Sequence, residues 1–375
     1  MISYLRRVPA SKLRGTALLR LDFNTEDDWR MKAVLPTIKF LLRHADKIII
    51  VSHKGRPQPS LIRSNGRIGE ANKKLSLAAD AKTLSRLLGK KVHFVSNFNF
   101  LGIKQMVNAA PKSSVFLLEN LRFLKGEEQN SRELAKDLAC LADYYVNDAF
   151  AVSHRENASV VAITKLLPSY AGLEFEKEID ILSRVMKKPK KPLVLVLGGG
   201  KAADKMGAIQ FFKNKATNIL LGGAPANTIY LLEGADIKKS LADRNPDDLK
   251  RLRRIIKYKN LVLPLDFIFH NNSILDVGQR TMGLFALRIS KARTIIWSGP
   301  LGLIEKKPYD RGSLAIAKSI AQNRKAFSLA GGGETVMFLK KHGLDKKFSF
   351  ISTGGGAMLD FLAGKKLPGI EALRK

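Results

Sequence analysis

Short apolar runs recur along the chain, and each of them ends in glycine or a polar turn. The runs are rich in Val, Ile and Leu, and a stretch with helical spacing often follows. They are ALLRLDFN, KIIIVSHKG, SVFLLENLR, LVLVLGGGK, TNILLGGA, TIIWSGP, FSLAGGGE and SFISTGGG. Continuous apolar strands that alternate with helices indicate parallel sheets covered on both faces. The pattern therefore predicts an α/β protein built from parallel β-sheets flanked by helices.

The strand ends differ between the two halves of the chain. In the first half they carry charged and amide side chains, namely Asp22, Asn24, His53, Arg56 and Arg122. In the second half they carry glycine clusters at 198–200, 222–223, 331–333 and 354–356. Ligands of such folds bind at the carboxyl ends of strands, so we expect two binding sites of different chemistry.

The segment 171–192 separates the two halves. It has helical apolar spacing at Phe175, Ile179, Leu182 and Val185, and proline follows at 189. We interpret it as an interdomain helix and hinge between an N-terminal domain (1–170) and a C-terminal domain (193–363).

Length and composition are compatible with this division. A chain of 375 residues is long enough for two domains. No apolar run approaches the roughly 20 residues that span a membrane, and the N-terminus lacks the apolar centre of a signal peptide. The single cysteine, Cys140, excludes an intrachain disulfide, and its amphipathic setting predicts a buried thiol. We therefore expect a cytoplasmic protein.

The charge is the unusual feature of the composition. The chain has 65 Lys and Arg against 33 Asp and Glu, a formal net charge of +32. Such a surface attracts anions and binds nucleic acid nonspecifically at low salt. The sequence contains neither a zinc-finger Cys/His pattern nor an aromatic-rich RNA-recognition motif. The charge leaves open a nucleic-acid partner, a phosphate-bearing ligand, or merely solvated basic faces.

The second half has features that suit a polyphosphate. Glycine turns after strands let backbone N–H groups approach phosphate oxygens, and a helix N-terminus adds partial positive charge. In GGGKAADK (198–205), Lys201 and Lys205 stand four residues apart, which predicts that both ammonium groups lie on one helical face. Glu334 follows another glycine turn and could hold Mg²⁺. The P-loop and G-x-G-x-x-G patterns are both absent.

The first half has features that suit a small, multiply charged anion. Arginine matches phosphate and carboxylate geometry with its planar fork. The basic side chains on or beside strand-end turns are Arg20, Arg30, His53, Arg56, Arg122 and Arg155. In so basic a protein any single arginine is more simply a solvated surface residue, and His53 could equally be a capping residue.

Eleven short motifs, in order, resemble those of one family. The N-terminal ones are RLDFN (20–24), Arg30 followed by LPTI (35–38), SHKGRP (52–57), LLENLRF (117–123) and YVNDAFAVSHRENAS (145–159). The C-terminal ones are GGGKAADK (198–205), LPLDF (263–267), LDVG (275–278), WSGPLGLIE (297–305), GGGET (331–335) and STGGGA (352–357). Together they resemble the signatures of phosphoglycerate kinase from about residue 5 to residue 370.

The resemblance implies two sets of site residues. The implied 3-phosphoglycerate site consists of Asp22, Phe23, Asn24, Arg30, His53, Lys54, Gly55, Arg56, Arg122 and Arg155. The implied nucleotide site consists of Gly199, Lys201, Lys205, Gly223, Glu305, Gly332, Gly333, Glu334 and Thr335, with Glu334 as the Mg²⁺ ligand, directly or through water. The catalytic groups expected among and beside them are Arg30, Lys201, Lys205, Gly333 and Gly356. The tail, 364–375, is expected to return to the first domain.

The reaction implied is the glycolytic one, in which a phosphoryl group passes reversibly between ATP and the carboxylate of 3-phosphoglycerate, giving 1,3-bisphosphoglycerate and ADP. A carboxylate is already ionised at neutral pH, so no general base is required, and catalysis rests on positioning, charge neutralisation and hinge closure. The family resemblance also implies a monomer.

Some positions depart from the family pattern. Ser298 replaces the usual Asn of Trp-Asn-Gly-Pro, Glu334 replaces the usual Asp, and Gln279 stands where proline normally follows glycine. GGGK and AVSHR replace the usual GGAK and GTAHR. Two alternatives stay open: a degenerate member that binds nucleotide with weak catalysis, and a basic nucleic-acid-binding protein on the same scaffold.

Overall fold

The computed structural model describes residues 1–25, 27–57 and 73–374. The chain divides into two units, the first comprising Met1–Asp180 and Lys366–Lys375 and the second comprising Ile181–Lys365. Each unit contains its own parallel sheet and its own apolar core. The predicted fold class, two α/β units of parallel sheets flanked by helices, is confirmed.

The sheet of the first unit has six strands within the described residues. They are β1 (Thr16–Arg20), β2 (Lys47–Val51), β3 (Val92–Val95), β4 (Ser114–Leu118), β5 (Tyr144–Asn147) and β6 (Ser169–Ala171). Their order is β3-β4-β2-β1-β5-β6, and every neighbouring pair is parallel. Among the described residues before Pro168, the α-helices are α1 (Trp29–His44), α2 (Ala78–Leu88), α3 (Phe100–Ala109), α4 (Lys125–Glu128) and α5 (Arg132–Ala139).

The central strands of this sheet are buried on both faces, which explains their continuous apolar runs. All five residues of β4 are buried, and so are the last four residues of β1 and of β2. Leu19 of β1 stands opposite Ile50 of β2, and both side chains lie in the core. Arg20 ends β1, Asp22 follows it, and His53 follows β2, so these side chains lie at the carboxyl ends of neighbouring strands.

The segment between the two sheets forms helix α6 (Leu173–Lys187). It is shorter than the 171–192 interpreted from the sequence because Ala171 still pairs with Asn147 in the sheet, and Pro189 disfavours helix at the residue before it. The four residues with helical apolar spacing are all buried: Phe175, Ile179, Leu182 and Val185. The division between the units falls inside α6, after Asp180.

The sheet of the second unit also has six strands within the described residues. They are β7 (Leu193–Leu197), β8 (Asn218–Leu221), β9 (Leu261–Val262), β12 (Thr294–Ser298), β13 (Phe327–Gly331) and β14 (Phe350–Ile351). Their order is β14-β13-β12-β7-β8-β9, all parallel, and a separate antiparallel hairpin is formed by β10 (Phe267–His270) and β11 (Ser273–Val277).

Helices surround this second sheet. They are α7 (Ala203–Phe212), α8 (Gly223–Leu232), α9 (Pro246–Ile255), α10 (Gln279–Ser290), α11 (Arg311–Gln322), α12 (Gly333–Lys341) and α13 (Gly356–Leu362). A Cβ on Gly207 of α7 would lie 2.7 Å from the Cβ of Ala363, just after α13, so glycine is required for this close approach. The last helix, α14 (Pro368–Glu371), belongs to the first unit, where the Gly369 amide donates to the Ser153 carbonyl oxygen at 2.8 Å.

The expectation of a buried thiol at Cys140 was wrong. Cys140 is exposed, at the C-terminal end of α5, and its Sγ lies 3.0 Å from the carbonyl oxygen of Asp137. The buried stripe of this helix is formed by Leu134, Ala135 and Leu138, and Cys140 falls outside it. Within the described residues, no helix is long and apolar enough to cross a membrane.

Candidate functional site

In the first unit, the turns after β1 and β2 are joined through Asp22 and Asn24. The Oδ2 atom of Asp22 accepts a hydrogen bond from Arg30 Nη1 at 2.8 Å, and its Oδ1 accepts one from the Asn24 amide at 2.8 Å. Asn24 Oδ1 in turn accepts from the Gly55 amide at 2.8 Å. Burial alone would raise the pKa of Asp22, but the Arg30 guanidinium and the Asn24 amide hold that pKa below its usual value. Asp22 therefore stays ionised and orients Arg30.

His53 lies buried beside Arg20, the last residue of β1. Arg20 Nη2 is 3.2 Å from His53 Nδ1, and both side chains are almost fully buried. A guanidinium can only donate, so Nδ1 is the acceptor and the proton lies on Nε2. Burial, reinforced by the positive charge of Arg20, lowers the pKa of His53 well below its ordinary value. His53 is therefore a neutral imidazole that can donate from Nε2.

Arg122 and Arg155 complete this cluster. Arg122 Nη1 donates to the carbonyl oxygen of Gly55, and Arg122 Nε lies 3.2 Å from the exposed carboxylate of Glu128, which is also 4.0 Å from Arg155 Nη1. Burial, together with the neighbouring Arg155, lowers the pKa of Arg122 to about 10. Glu128 is thus the carboxylate near both Arg122 and Arg155, and it balances only one of their two positive charges. The remaining positive charge suits an anionic ligand.

Three residues of the implied substrate set are not part of this cluster. Phe23 packs in the apolar core, and its amide donates to Ser52 Oγ at 3.0 Å. Lys54 Nζ is 3.0 Å from the carboxylate of Asp80. Arg56 is exposed and forms no ion pair with any described residue. Of the three, only Arg56 has a polar side chain without a partner in the described part of the chain.

The glycine turns of the second unit have conformations and clearances that other residues would not tolerate. Gly199, Gly299 and Gly332 have φ of +88°, +91° and +98°. A Cβ on Gly198 would lie 2.1 Å from the carbonyl oxygen of Pro300. The glycines let the turns after β7, β12 and β13 approach one another closely, so that backbone groups form the floor of a site.

A polar cavity of about 480 Å³ opens at this edge of the second sheet. Its lining includes most of the predicted phosphate-binding residues. They are Gly199, Lys201, Lys205, Gly332, Gly333, Glu334, Thr335 and Gly356, together with Asp204 and Ser298. Thr335 Oγ1 accepts from the Gly299 amide at 2.8 Å, which ties the start of α12 to the turn after β12. The N-terminal turn of α12 therefore faces the same space as the two lysines.

Lys205 is the buried cation of the polar cavity. It is 8% exposed, and its Nζ lies 3.4 Å from Ser298 Oγ. Burial lowers the pKa of Lys205, although the carboxylates of Asp204 and Glu334 act in the opposite direction. The expectation that Lys201 and Lys205 share one helical face was wrong, because α7 begins only at Ala203. The turn before α7 nevertheless places Lys201 in the lining of the same cavity as Lys205.

A second, more apolar cavity of about 220 Å³ adjoins the first. It includes Gly223 and Glu305, both predicted for the nucleotide, and it shares Gly199 and Glu334 with the polar cavity. Its walls were not identified from the sequence. They consist mainly of Ala224, Leu241, Ile274, Leu275, Pro300, Leu301 and Leu303. Their arrangement offers apolar surfaces for a flat ring and a carboxylate at the rim.

The donor set for a metal ion is small. Among the described residues no group of three or more His, Cys, Asp or Glu side chains could hold a metal by itself. Asp204 and Glu334, however, both line the polar cavity beside the lysines. Mg²⁺ is commonly held by one or two carboxylates together with substrate phosphates and water. The residues present therefore fit a Mg²⁺ ion that arrives with a nucleotide.

Comparisons with known proteins agree on one family. A family model described as phosphoglycerate kinase matches residues 13–365. The phosphoglycerate kinase of Dictyoglomus turgidum is 38% identical to this chain, and the match covers 95% of each protein. That of Thermosipho africanus is 39% identical, over 95% of this chain and 94% of the relative. The structure of phosphoglycerate kinase from Coxiella burnetii matches with a TM-score of 0.79 and 32% identity over 100% of this chain and 99% of that one. The crystal structure of the Pyrococcus horikoshii phosphoglycerate kinase matches with a TM-score of 0.84 and 30% identity over 99% and 98% of the two chains.

Proposed function

The chain belongs to the phosphoglycerate kinase family, and on that premise we propose that it transfers a phosphoryl group reversibly between ATP and the carboxylate of 3-phosphoglycerate. The observation that carries the proposal is that each unit has a site at the ends of its strands, and that the two sites have complementary chemistry. One is the arginine-rich cluster of the first unit, and the other is the glycine-lined polar cavity that contains Lys205.

The first unit supplies the acceptor side of the reaction. Arg122 and Arg155 carry positive charge that is only partly balanced by Glu128, so they suit the phosphate of 3-phosphoglycerate. Neutral His53 donates a hydrogen bond, and ionised Asp22 orients Arg30 while offering an acceptor to a hydroxyl group. Each of these roles favours an acid that carries both a phosphate and a hydroxyl group.

The second unit supplies the donor side. The apolar cavity takes the base, with Glu305 available to the ribose, and the polar cavity takes the phosphates. Lys205, held in a buried position, neutralises charge that develops on the transferred group, and the backbone N–H groups at the start of α12 assist. Mg²⁺, held by Glu334 with Asp204, would supply further neutralisation of the phosphate oxygens when bound with the nucleotide.

No general base is needed, because the attacking carboxylate of 3-phosphoglycerate is ionised at neutral pH. Its oxygen forms a bond to the γ-phosphorus while the bond to the β-γ bridging oxygen breaks, and ADP leaves with that oxygen. The chain's contribution is therefore to orient both reactants in line and to balance their charge. Arg30 is assigned to the acceptor side and Lys205 to the donor side; the hinge at α6, a monomeric state and a cytoplasmic location stay predictions.

The experiment is an assay of ATP-dependent phosphorylation of 3-phosphoglycerate, coupled through glyceraldehyde-3-phosphate dehydrogenase to oxidation of NADH. We expect turnover that requires ATP, 3-phosphoglycerate and Mg²⁺ together. A folded protein that binds Mg-ATP but leaves NADH unoxidised would contradict the proposal. That result would favour the alternative in which the chain binds nucleotide without efficient catalysis.

A further inference from the structure

Helix α9 and the turn after it present a row of cations on one side. Leu252 and Ile255 are the buried residues of this helix. At 100° per residue, the positions opposite this stripe are Lys250, Arg254 and Lys257, all of them exposed. Two more exposed cations flank the row, Arg251 and Arg253. We call these five residues the basic ridge.

The basic ridge has no role that the fold explains. Within the described part of the chain, none of its five side chains forms an ion pair with a carboxylate. The acidic residues of the helix, Asp247 and Asp248, lie in its first turn, where the helix dipole stabilises them. Like charges at i,i+4, such as Lys250 and Arg254, destabilise a helix. The ridge therefore maintains repulsion that an external polyanion would relieve.

A cavity of about 410 Å³ adjoins the end of the ridge. It is lined by Lys257 of the ridge together with Lys213, Asn214, Ala216, Tyr258, Lys259 and Asn260. Lys213 Nζ lies 5.7 Å from the centroid of the Tyr258 ring. Asn260 Nδ2 donates to the carbonyl oxygens of Lys213 and Ala216, at 2.9 and 2.8 Å, which holds the two walls together. The cavity thus combines an aromatic ring, three lysines and two amides.

We propose that the basic ridge and the Tyr258 cavity bind single-stranded nucleic acid. The ridge contacts successive phosphates of the backbone, and one base enters the cavity and stacks against Tyr258. A positive track with an aromatic platform beside it is the combination by which proteins hold single strands without reading their sequence. None of these residues lines either cavity of the nucleotide site, so the two functions do not compete for side chains.

A membrane surface is the less suitable occupant. Interfacial helices bind lipid through a large apolar face that enters the bilayer. In α9 the apolar residues Leu252 and Ile255 face the protein core, and none of the large apolar side chains exposed among the described residues lies in 213–216 or 246–260. The surface offers charge and one aromatic ring, which is what a single strand requires.

The test compares two triple variants that lose the same charge. Lys250→Gln with Arg254→Gln and Lys257→Gln removes the centre of the ridge. Three exposed cations at similar spacing, two on α2 and one just after its end, serve as the control: Lys82→Gln with Arg86→Gln and Lys90→Gln. Fluorescence anisotropy with a labelled uridine homopolymer of about 20 nucleotides measures affinity between 50 and 300 mM salt.

The ridge triple loses three phosphate contacts. This loss should reduce the slope of the logarithm of the association constant against the logarithm of the salt concentration by about 2, and it should weaken binding by about 100-fold at about 0.1 M salt. The control triple, remote in sequence and screened by salt, should change affinity by less than about threefold. Equal losses in the two triples would overturn the proposal, because binding would then reflect net charge alone. Both variants should retain the phosphotransferase rate of the unmodified protein.

A second variant and a second probe separate the remaining explanations. Tyr258→Leu removes the stacking platform without changing charge and should weaken homopolymer binding by about tenfold with an unchanged salt slope. Vesicles containing phosphatidylserine provide the comparison surface. Ridge-dependent binding to these vesicles without ridge-dependent binding to the homopolymer would overturn the proposal in favour of a membrane.

Discussion

The adjacent residues Glu127 and Glu128 offer a sharp test of the packing beneath the substrate cluster. Glu127 is fully buried, accepts from the Ser159 amide at 3.0 Å and from the Ser159 hydroxyl at 2.6 Å, and lies 3.7 Å from Arg20. Glu128 is 58% exposed and lies 3.2 Å from Arg122. The substitution Glu→Gln at each position removes the same charge from two different environments.

The two substitutions should differ several-fold in effect. Glu127→Gln removes the carboxylate that forms the buried ion pair with Arg20, and breaking a buried pair in this way costs about 3–5 kcal/mol. Glu128→Gln breaks a pair that is open to solvent, which is worth less than about 1 kcal/mol. With an m-value of about 2 kcal/mol per M urea, the unfolding midpoint should fall by about 2 M for Glu127→Gln and by less than about 0.5 M for Glu128→Gln.

Urea unfolding followed by tryptophan fluorescence measures this difference within the first unit. The chain has two tryptophans, one in each unit, so a Trp297→Phe background leaves Trp29 as the reporter. Removing both members of the buried pair, by Arg20→Met with Glu127→Gln, should recover part of the loss. Equal midpoints for the two glutamate variants would refute the assignment of Glu127 as the counter-charge of Arg20.

Three further predictions concern other parts of the molecule. Gly198→Ala should destabilise the second unit in thermal unfolding, because the new Cβ would lie 2.1 Å from the carbonyl oxygen of Pro300. The control, Gly283→Ala, places its Cβ in open space within α10 and should stabilise the second unit by about 0.5–1 kcal/mol. Burial raises the pKa of Asp148 to about 7, so between about pH 4 and 7 the folded state holds a proton that the unfolded state has lost. The free energy of unfolding should therefore fall as pH rises from about 4 to 7. Urea titrations at a series of pH values measure this trend, and Asp148→Asn should abolish it. Replacing Ser298 by Asn and Glu334 by Asp should raise kcat greatly in the coupled assay if these departures from the family pattern weaken catalysis, and an unchanged kcat would reject that cause.

The fold class and the edges that carry the sites could be predicted because their signals are local. A run such as SVFLL is apolar throughout, and the structure buries every residue of β4. Glycine clusters mark the turns where backbone approaches backbone, as at Gly198 and Gly332. These features need only a short window of sequence, so periodicity and residue type were sufficient to find them.

The features that could not be predicted depend on residues distant in sequence. Arg20 was recognised as basic, but its burial depends on a bond to Ser159, which lies 139 positions away. The apolar walls at Leu241 and Ile274 belong to separate segments that carry no motif. Cys140 lies in an amphipathic segment, but it stands on the side of α5 opposite the buried Leu138 and is exposed. For Arg20 and for the cavity walls, contacts between segments distant in sequence decided the outcome, and a local pattern does not show such contacts.

Lys205 is proposed to neutralise charge on the transferred phosphoryl group, and a comparison of kcat between two lysine variants tests this role. Lys205→Ala is measured in the coupled assay beside Lys291→Ala, an exposed lysine just before the start of β12, at the opposite end of that strand from Ser298. We predict that Lys205→Ala lowers kcat by about 100-fold or more, with little change in KM for 3-phosphoglycerate, while Lys291→Ala leaves both unchanged. Equal kcat values for the two variants would refute this role of Lys205.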